Sequence, residues 1–508
     1  MPLIEVELGA GLEPGHLAAL TAAVARVRSD VVWRLVPGPA AVGGCAKDAG
    51  ARWLLAFERA LPGSRITPPC SPPGWSGALQ PVSDAPDTEP DVRLAFLGHA
   101  VAPLVAQSTR KGHVMVRWPG AHSTATVGLL NVLNRSDTTP FAVSVWGPRG
   151  NLLHHIDASV PTQLAFSWTH DLALSKAVAM VADCALRLLA DAHWPAPRQA
   201  ASVVSAGTLV ASPVVPSWLA YCAAMPVRIV RKVAQVAMGR GRTWGISLSR
   251  GDWQTHLDGA RQAVPNPPGR YWADPFLLHR DGRDYLFVED FDLRLGVAHL
   301  SALEIDNLGQ VHDLGACLRA DCHLSFPFLF EWQGQLYMCP ETSGSRQIRV
   351  YRCDDFPLSW TLAAVLMDEV SAADTMLLER GGRWWMLTNI DPSGGLDHCS
   401  ELHVFWADSP LSSTWTPHPG NPVIADASCA RNGGMIAQQD GTVYRVSQIQ
   451  HYAVYGGGWR LNQLRELTPM AYDETEVARY EPRSRQGADL GAHHLSSNGR
   501  WTVSDRLL

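Results

Sequence analysis

Ten cysteines are present but without order: there is no Cys-x-x-Cys pair and no regular spacing. That excludes a disulfide framework and a zinc module, and leaves buried, reduced thiols as the expectation. Charge is scarce, 18% of residues with a net −6, so no basic field is available to hold nucleic acid. No stretch reaches 18 uncharged apolar residues, and none is expected to span a bilayer. The opening Met-Pro-Leu-Ile-Glu-Val-Glu-Leu lacks the basic start and apolar run of a secretory signal, which gives a cytoplasmic location as the expectation. Hydrophobic residues make up 46% of the chain, too many for disorder and enough for several packed domains.

What is present is a line written three times. Asp274-Pro-Phe-Leu-Leu-His-Arg-Asp-Gly-Arg-Asp-Tyr-Leu-Phe-Val-Glu289, Phe326-Pro-Phe-Leu-Phe-Glu-Trp-Gln-Gly-Gln-Leu-Tyr-Met-Cys-Pro-Glu341 and Asp374-Thr-Met-Leu-Leu-Glu-Arg-Gly-Gly-Arg-Trp-Trp-Met-Leu-Thr-Asn389 each give an apolar strand, a turn with glycine at one place, and an aromatic strand. A fainter copy runs from Gly433 through Gly441 to Gln448, and the remnant of a fifth surrounds Asn498-Gly-Arg-Trp501. A β-hairpin repeated at about 50 residues is the signature of a propeller whose blades bury their faces on one another. The span 243–508 accommodates five blades at this period.

The N-terminal part follows another pattern. Leu12 to Val27 reads as an amphipathic helix, Val31 to Val36, Arg52 to Phe57 and Arg93 to Leu97 as strands, and Ser175 to Ala192 as a long helix. Alternating strands and helices predict an α/β domain over 1–195 with a parallel or mixed sheet, and the Pro- and Ser-rich stretch Ile66 to Pro90 reads as a surface loop. Residues 196–242 form a linker whose later part, Trp218 to Arg242, sets Leu219, Met225, Val227, Ile229, Val233 and Val236 among Arg228, Arg231, Lys232, Arg240 and Arg242. Such a basic amphipathic helix either lies weakly on an anionic membrane or packs one domain on the other with its arginines solvated.

From Asp91 to about Ala192 the chain resembles the N-terminal domain of formyltransferases that use a formyl-folate donor. The likeness is carried by Gly112-His-Val-Met-Val-Arg117, the helical Val127-Gly-Leu-Leu-Asn-Val-Leu133 and the strand pair from Phe141 to His155. Where that family carries Asn and His two residues apart, this sequence has Met115 and Arg117. Methionine supplies neither the base nor the oxyanion donor that formyl transfer needs, so the resemblance implies a catalytically retired domain. His122, His154, His155 and Asp157 are the residues available as a replacement set.

From Tyr271 to the end the chain is similar to the propeller at the N-terminus of plant glucosamine inositolphosphorylceramide transferases. The strings that carry the similarity are Trp272-Ala-Asp-Pro-Phe276, His323-Leu-Ser-Phe-Pro-Phe328, Pro340-Glu-Thr-Ser343, Asp374-Thr375, Ala407-Asp-Ser-Pro-Leu411 and Trp415-Thr-Pro-His-Pro-Gly-Asn-Pro422. At greater distance the repeat resembles the five-bladed glycoside hydrolases of family 43, whose carboxylates gather at the mouth of the central channel.

Asp274 and Asp374 hold one place in their repeats, 100 residues apart, with Phe326 between them; Glu289 and Glu341 hold another, 52 apart, followed by Asn389 and Gln448. Equivalent positions in a closed ring face one axis. Polar residues kept there either cap backbone groups or ring a sugar. Inverting hydrolysis needs a base and a protonated acid roughly 6.5–9.5 Å apart. The family 43 resemblance implies Asp274 as the base and Asp374 as the residue that orients the sugar. The family's acid, a Glu before a Gly in the fourth blade, is replaced here by Arg431-Asn-Gly-Gly434. Either Glu341 takes over as the acid, raised by desolvation, or Arg431 marks a subsite for a phosphate or uronate.

Trp272, next but one to Asp274, is the aromatic expected to stack on a sugar, and His323 and His493 are expected at the channel. The paired His493 and His494 alone do not make a metal site, and neither a metal nor a cofactor is expected. The sequence thus predicts a carbohydrate or glycolipid ligand and a glycoside hydrolase-like or glycosyl-transferring enzyme. The catalytic residues would be Asp274, Glu341 and Asp374, with Trp272, Glu289, His323, Asn389, Arg431, Gln448 and His493 binding substrate. The alternatives are a non-catalytic sugar or phosphosugar scaffold, and formyl or acyl transfer by the first domain.

Overall fold

The computed structural model describes residues 1–8, 14–37, 45–59, 89–97, 108–121, 124–192, 194, 217–237, 243–438, 440–482 and 489–508. They divide into two compact units, 1–229 with 392–397, and 230–391 with 398–508. Cys184, Cys222, Cys317, Cys322, Cys339, Cys353, Cys399 and Cys429 are free thiols.

The first unit is built on one six-stranded sheet of β1 (Leu3–Leu8), β2 (Val32–Pro37), β3 (Val92–Leu97), β4 (Gly112–Arg117), β5 (Thr138–Trp146) and β6 (Leu152–Pro161), in the order β2-β1-β3-β4-β5-β6. The first four strands are parallel and the last two close it as an antiparallel hairpin. The helices are α1 (Pro14–Ala25), α2 (Cys45–Arg59), the short α3 (Leu129–Asn134), α4 (Phe166–Leu189) and α5 (Ser217–Ala237).

Arg52 to Phe57, expected as a strand, lies within α2. Ala51, Leu54 and Leu55 are buried while Trp53 and Phe57 are exposed, an i, i+3, i+4 pattern that belongs to a helix and cannot face one side of a sheet. The helix expected from Ser175 starts nine residues earlier and ends at Leu189. The helix expected over Trp218 to Arg242 is α5, which continues through Pro226. Most of the Ile66 to Pro90 loop and the linker's first part, 195–216, lie outside the described residues.

The second unit is a five-bladed propeller of four-stranded antiparallel sheets. The chain enters through β7 (Trp244–Arg250), α6 (Trp253–Asp258) and β8 (Gln262–Val264). Blade 1 follows as β9 (Arg270–Arg280), β10 (Arg283–Asp292), β11 (Val297–Ile305) and β12 (Val311–Leu318), and blade 2 as β13 (Ser325–Trp332), β14 (Gln335–Glu341), β15 (Ile348–Asp355) and β16 (Ser359–Met367). Blade 3 is β17 (Ala372–Arg380), β18 (Arg383–Ile390), β19 (His403–Ala407) and β20 (Thr416–Pro417), and blade 4 is β21 (Asn432–Ala437), β22 (Val443–His451), β23 (Val454–Leu467) and β24 (Tyr472–Tyr480).

The fifth blade is more than a remnant. Its inner strands β25 (Leu495–Ser497) and β26 (Trp501–Leu507) pair with β7 and β8 in the order β25-β26-β7-β8, so the C-terminal end completes a sheet opened at Trp244. Each inner strand runs beside the next, β9, β13, β17, β21 and β25, and β25 returns to β9. That closure leaves the ring without a free inner edge.

The repeated glycine has a local cause. At Asp281-Gly282, Gln333-Gly334 and Gly381-Gly382 both residues have positive φ, the requirement of a two-residue type I′ hairpin turn. The opposite end of each inner strand is irregular as well. Asp274, Phe326 and Asp374 have φ of 46°, 48° and 49°, and the register with the second strand shifts at each. One left-handed bulge, repeated in three blades, turns the residue it carries out of the ladder and toward the ring axis.

Candidate functional site

The three bulges and the hairpin ends bring the expected polar residues into one cluster. Asp274 is buried, and its Oδ2 accepts the N–H of Phe326, the bulge residue of the next blade, at 3.2 Å. Its Oδ1 faces His493 Nε2 at 3.1 Å, and the other ring nitrogen, Nδ1, faces Asp505 Oδ2 at 2.7 Å. Asp505 in turn accepts the backbone N–H groups of His493 and His494 on Oδ1, which fixes the loop before β25.

Burial alone would raise Asp274, yet the hydrogen bond and charge of His493, with the charge of Arg431, hold it at about 2. Burial would lower His493, but Asp505 and Asp274 on either side lift it to about 10. The group is an imidazolium clamped between two carboxylates. His494, brought down to about 4 by burial, is neutral and packs edge-on against Phe276 and Phe326, so apolar rings floor the cluster.

Beside Asp274, Glu289 pairs in register with Ala273. Burial raises its carboxyl above the usual range, His323 opposes that at 3.3 Å, and the Asp274 charge adds to it. Burial would lower His323, and the carboxylates of Glu289, Glu341 and Asp274 outweigh it so that the ring sits above its ordinary value. Burial, with Glu341 and Asp274 near, also pushes Asp374 up, against the pull of Arg431.

Arg431 joins the remaining groups. Its Nε donates to Asp374 Oδ2 at 2.7 Å and its Nη2 reaches Glu341 Oε2 at 3.5 Å. Gln448 Nε2 donates to the same Asp374 oxygen at 3.2 Å, and the Ser343 hydroxyl donates to Glu341 Oε1 at 2.9 Å. The guanidinium lies 5.2 Å from the centre of the Tyr455 ring, within cation–π range. Tyr455 is 42% exposed, and with Trp244 and His493 it forms an edge-to-face aromatic group. An exposed aromatic face beside convergent carboxylates is the composition of a sugar subsite.

Two residues expected here, Trp272 and Asn389, have other positions, and a third, Gln448, arrives from a different place in its repeat. Trp272 is buried in the core between blades with Ile246, Leu248, Leu286 and Val503, so it offers no face to a ligand. Asn389 is fully buried and saturated: its amide donates to the carbonyls of Glu401 and Ala430, and its oxygen accepts the N–H of Asn432. It ties blade 3 to blade 4. Gln448 reaches the cluster, but in the fourth copy Ser447 holds the place of Glu289, Glu341 and Asn389, since Ser447 pairs with Asn432 as Asn389 pairs with Ala373. Tyr455, Trp244 and Asp505 are the residues that sequence reasoning passed over. The run Gly456-Gly-Gly458 was a signal for the first, because a Cβ on Gly456 would strike Trp244 and His493.

Among the described residues, Asp274, His493 and Asp505 place potential metal-ligand atoms within 4.8 Å of one another. The same contacts are what an imidazolium between two carboxylates gives, and a ligand histidine would have to surrender a proton. The clamp makes a testable statement about stability. An imidazole raised from 6.5 to about 10 stabilises the fold fully below 6.5 and loses that contribution as pH rises through 10. His493→Gln is therefore expected to cost most at pH 6 and progressively less toward pH 10, read from urea unfolding across that range. His493 moves further than Asp274 because it also faces Asp505, so the size of the pH-dependent part lies between the two displacements, about 2 to 5 kcal/mol.

In the first unit the proposed replacement set does not assemble. His155 bonds Ser144 Oγ at 2.9 Å and Asp157 Oδ1 at 3.2 Å, but His154, the next residue on β6, points to the opposite face and stacks near Trp194. His122 lies outside the described residues. Met115 packs with Ala95 and Trp146.

Residues 257–497 match the family model described as Glucosamine inositolphosphorylceramide transferase 1, N-terminal. Glucosamine inositolphosphorylceramide transferase 1 of Oryza sativa subsp. japonica is 31% identical over 251 residues, 46% of this chain and 33% of the rice protein. The protein of that name from Arabidopsis thaliana is 33% identical over 235 residues, 45% of this chain and 30% of its own. The chain spans about a third of the length of these curated relatives. Among solved structures, a thermostable family-43 glycoside hydrolase aligns at 14% identity and a TM-score of 0.37, over 48% of this chain and 90% of that one. The family 117 glycoside hydrolase Zg3597 of Zobellia galactanivorans aligns at 12% and 0.33, over 53% and 91%.

Proposed function

We propose that the propeller takes a carbohydrate or the sugar headgroup of a glycolipid at the cluster around Asp274 and hydrolyses or transfers a glycosyl group there. One observation carries the reading: neighbouring carboxyls are pushed in opposite directions, Asp274 down to about 2 by His493 and Glu289 up by burial. Two carboxyls separated in this way supply a base and an acid at one pH. In this reading Asp274 activates the attacking hydroxyl or water, and Glu289, rather than Glu341, protonates the leaving oxygen. Glu341 is engaged by Ser343 and Arg431, which suits it to holding sugar hydroxyls. The relatives' name, glucosamine inositolphosphorylceramide transferase, supports a sugar as the ligand.

The test is a screen of the purified chain against aryl glycosides and a glycan array. Turnover that Glu289→Gln lowers by about 10²-fold or more, and that falls as pH rises through the elevated Glu289 value, supports the assignment. Sugar affinity with no turnover on any glycoside or acceptor would leave a binding scaffold. One feature favours that second reading. Arg431 occupies the fourth blade's place for an acid and ties both Glu341 and Asp374, so in that reading the ring recognises hydroxyls without breaking a bond.

A further inference from the structure

Helix α5 turns its apolar side outward. Tyr221 and Met225 are buried, whereas Leu219, Val227, Ile229, Val230 and Val233 are exposed, Val230 to 66% and Val233 to 61%. At 100° per residue these five fall in one arc, with Arg231 at its border and Arg228 on the opposite side. The inner side is fastened: Tyr221 OH donates to Glu58, and Arg228 donates to the carbonyls of Val132 and Leu133 at 2.7 and 2.9 Å, closing the end of α3. The helix cannot simply roll to hide its valines, because rolling breaks these bonds. The neighbouring α2 adds an aromatic pair, Trp53 and Phe57, stacked at 5.4 Å and both exposed.

The charge of this segment selects what covers the arc. Between 217 and 242 the sequence carries Arg228, Arg231, Lys232, Arg240 and Arg242 and neither Asp nor Glu, within a chain whose net charge is −6. A second copy would set these cations against their own kind if the faces met on a twofold axis. An anionic lipid surface meets both requirements at once: it takes the aliphatic arc into the headgroup boundary and neutralises the flanking arginines. With three cations inside its 21 residues, α5 lies on a bilayer rather than through one, and no helix among the described residues is long and apolar enough to cross a membrane.

We propose that α5, with Trp53 and Phe57 beside it, docks the chain on an anionic membrane surface. The proposal is independent of any chemistry in the propeller. Co-sedimentation of the full chain with vesicles of phosphatidylglycerol and phosphatidylcholine, against vesicles of phosphatidylcholine alone, tests it. Binding to the anionic vesicles is expected to be at least about tenfold stronger, and to fall when salt rises from about 0.1 M to about 0.5 M. Val230→Glu with Val233→Glu, at two solvent-facing positions, should lower anionic binding by about tenfold or more with an unchanged melting temperature. Arg231→Gln should weaken it less and flatten the salt dependence. Equal binding by wild type and the double variant overturns the proposal. So does a wild-type dimer in light scattering that the double variant converts to monomer while vesicles bind neither form.

Discussion

Asp274→Asn is expected to lower glycosyl turnover by about 10³-fold while the propeller still folds, with a melting temperature lowered by the lost pairing to His493. Asparagine is chosen because the site makes two demands of this residue and the substitution removes only one. The backbone at 274 is left-handed, φ 46°, a conformation that Asn tolerates better than any other residue with a side chain except Asp. The N–H of Phe326 keeps an acceptor in the amide oxygen. What disappears is the negative charge that faces His493, leaving that imidazolium with Asp505 alone. The base is lost and the fold is kept, less the part of its stability that the Asp274–His493 pairing supplied. Alanine at the same place would strain the bulge and strand the Phe326 N–H, so its failure would teach little. Turnover of Asp274→Asn within threefold of wild type, on the same glycoside and at a temperature where both proteins are folded, would remove Asp274 from the chemistry.

The architecture was readable because a repeat converts one local preference into a global constraint. Glycine at 282, 334 and 382 marks three type I′ turns, and three equal hairpins at a fixed period leave few folds besides a propeller. The carboxylates at 274 and 374 were readable for the same reason, since both ride the same bulge. Repeat equivalence, however, says where a side chain starts and not what it meets. Asn389 shares the place of Glu289 and Glu341, yet three hydrogen bonds turn it into a clamp between blades. Trp272 lies two residues before Asp274, and strand alternation would set both on one face; the bulge at 274 breaks that alternation and leaves the indole in the core.

The least legible part is the seam. His493 acquires its partner from Asp505 on β26, whose sheet is completed by β7 more than 240 residues earlier in the chain, and Trp244 enters the site through that pairing. No periodicity records a contact between the two ends of a ring. Arg52 to Phe57 was illegible for the opposite reason: a short apolar run fits a strand as well as a helix, and only the burial of Ala51, Leu54 and Leu55 shows the period of 3.6.

The seam also accounts for the break in the pattern at the fourth copy, and it carries a second large effect on stability. Gly433 holds the bulge place that Asp274, Phe326 and Asp374 fill in the other blades. A Cβ on Gly433 would overlap the carbonyl oxygen of His493, and one on Gly434 would overlap that of Leu495. Here β21 and the strand that closes the ring meet backbone to backbone, so no side chain fits, and an acid cannot stand at this place whatever the chemistry would gain from one. Gly433→Ala must therefore push β25 outward and move His493 off Asp274. A loss of about 2 to 4 kcal/mol is expected, a melting temperature lower by roughly 5 to 15 °C. Gly441→Ala is the control. Its φ is positive, 85°, where that of Gly433 is not, and nothing lies within 4 Å of the added methyl, so only the left-handed backbone penalty of about 1 kcal/mol applies. If the two variants melt together, the closeness of the seam is not what removed the side chain. If Gly433→Ala falls well below Gly441→Ala and also loses the pH-dependent stability assigned to His493, then closing the ring and setting the charge on Asp274 are one structural event.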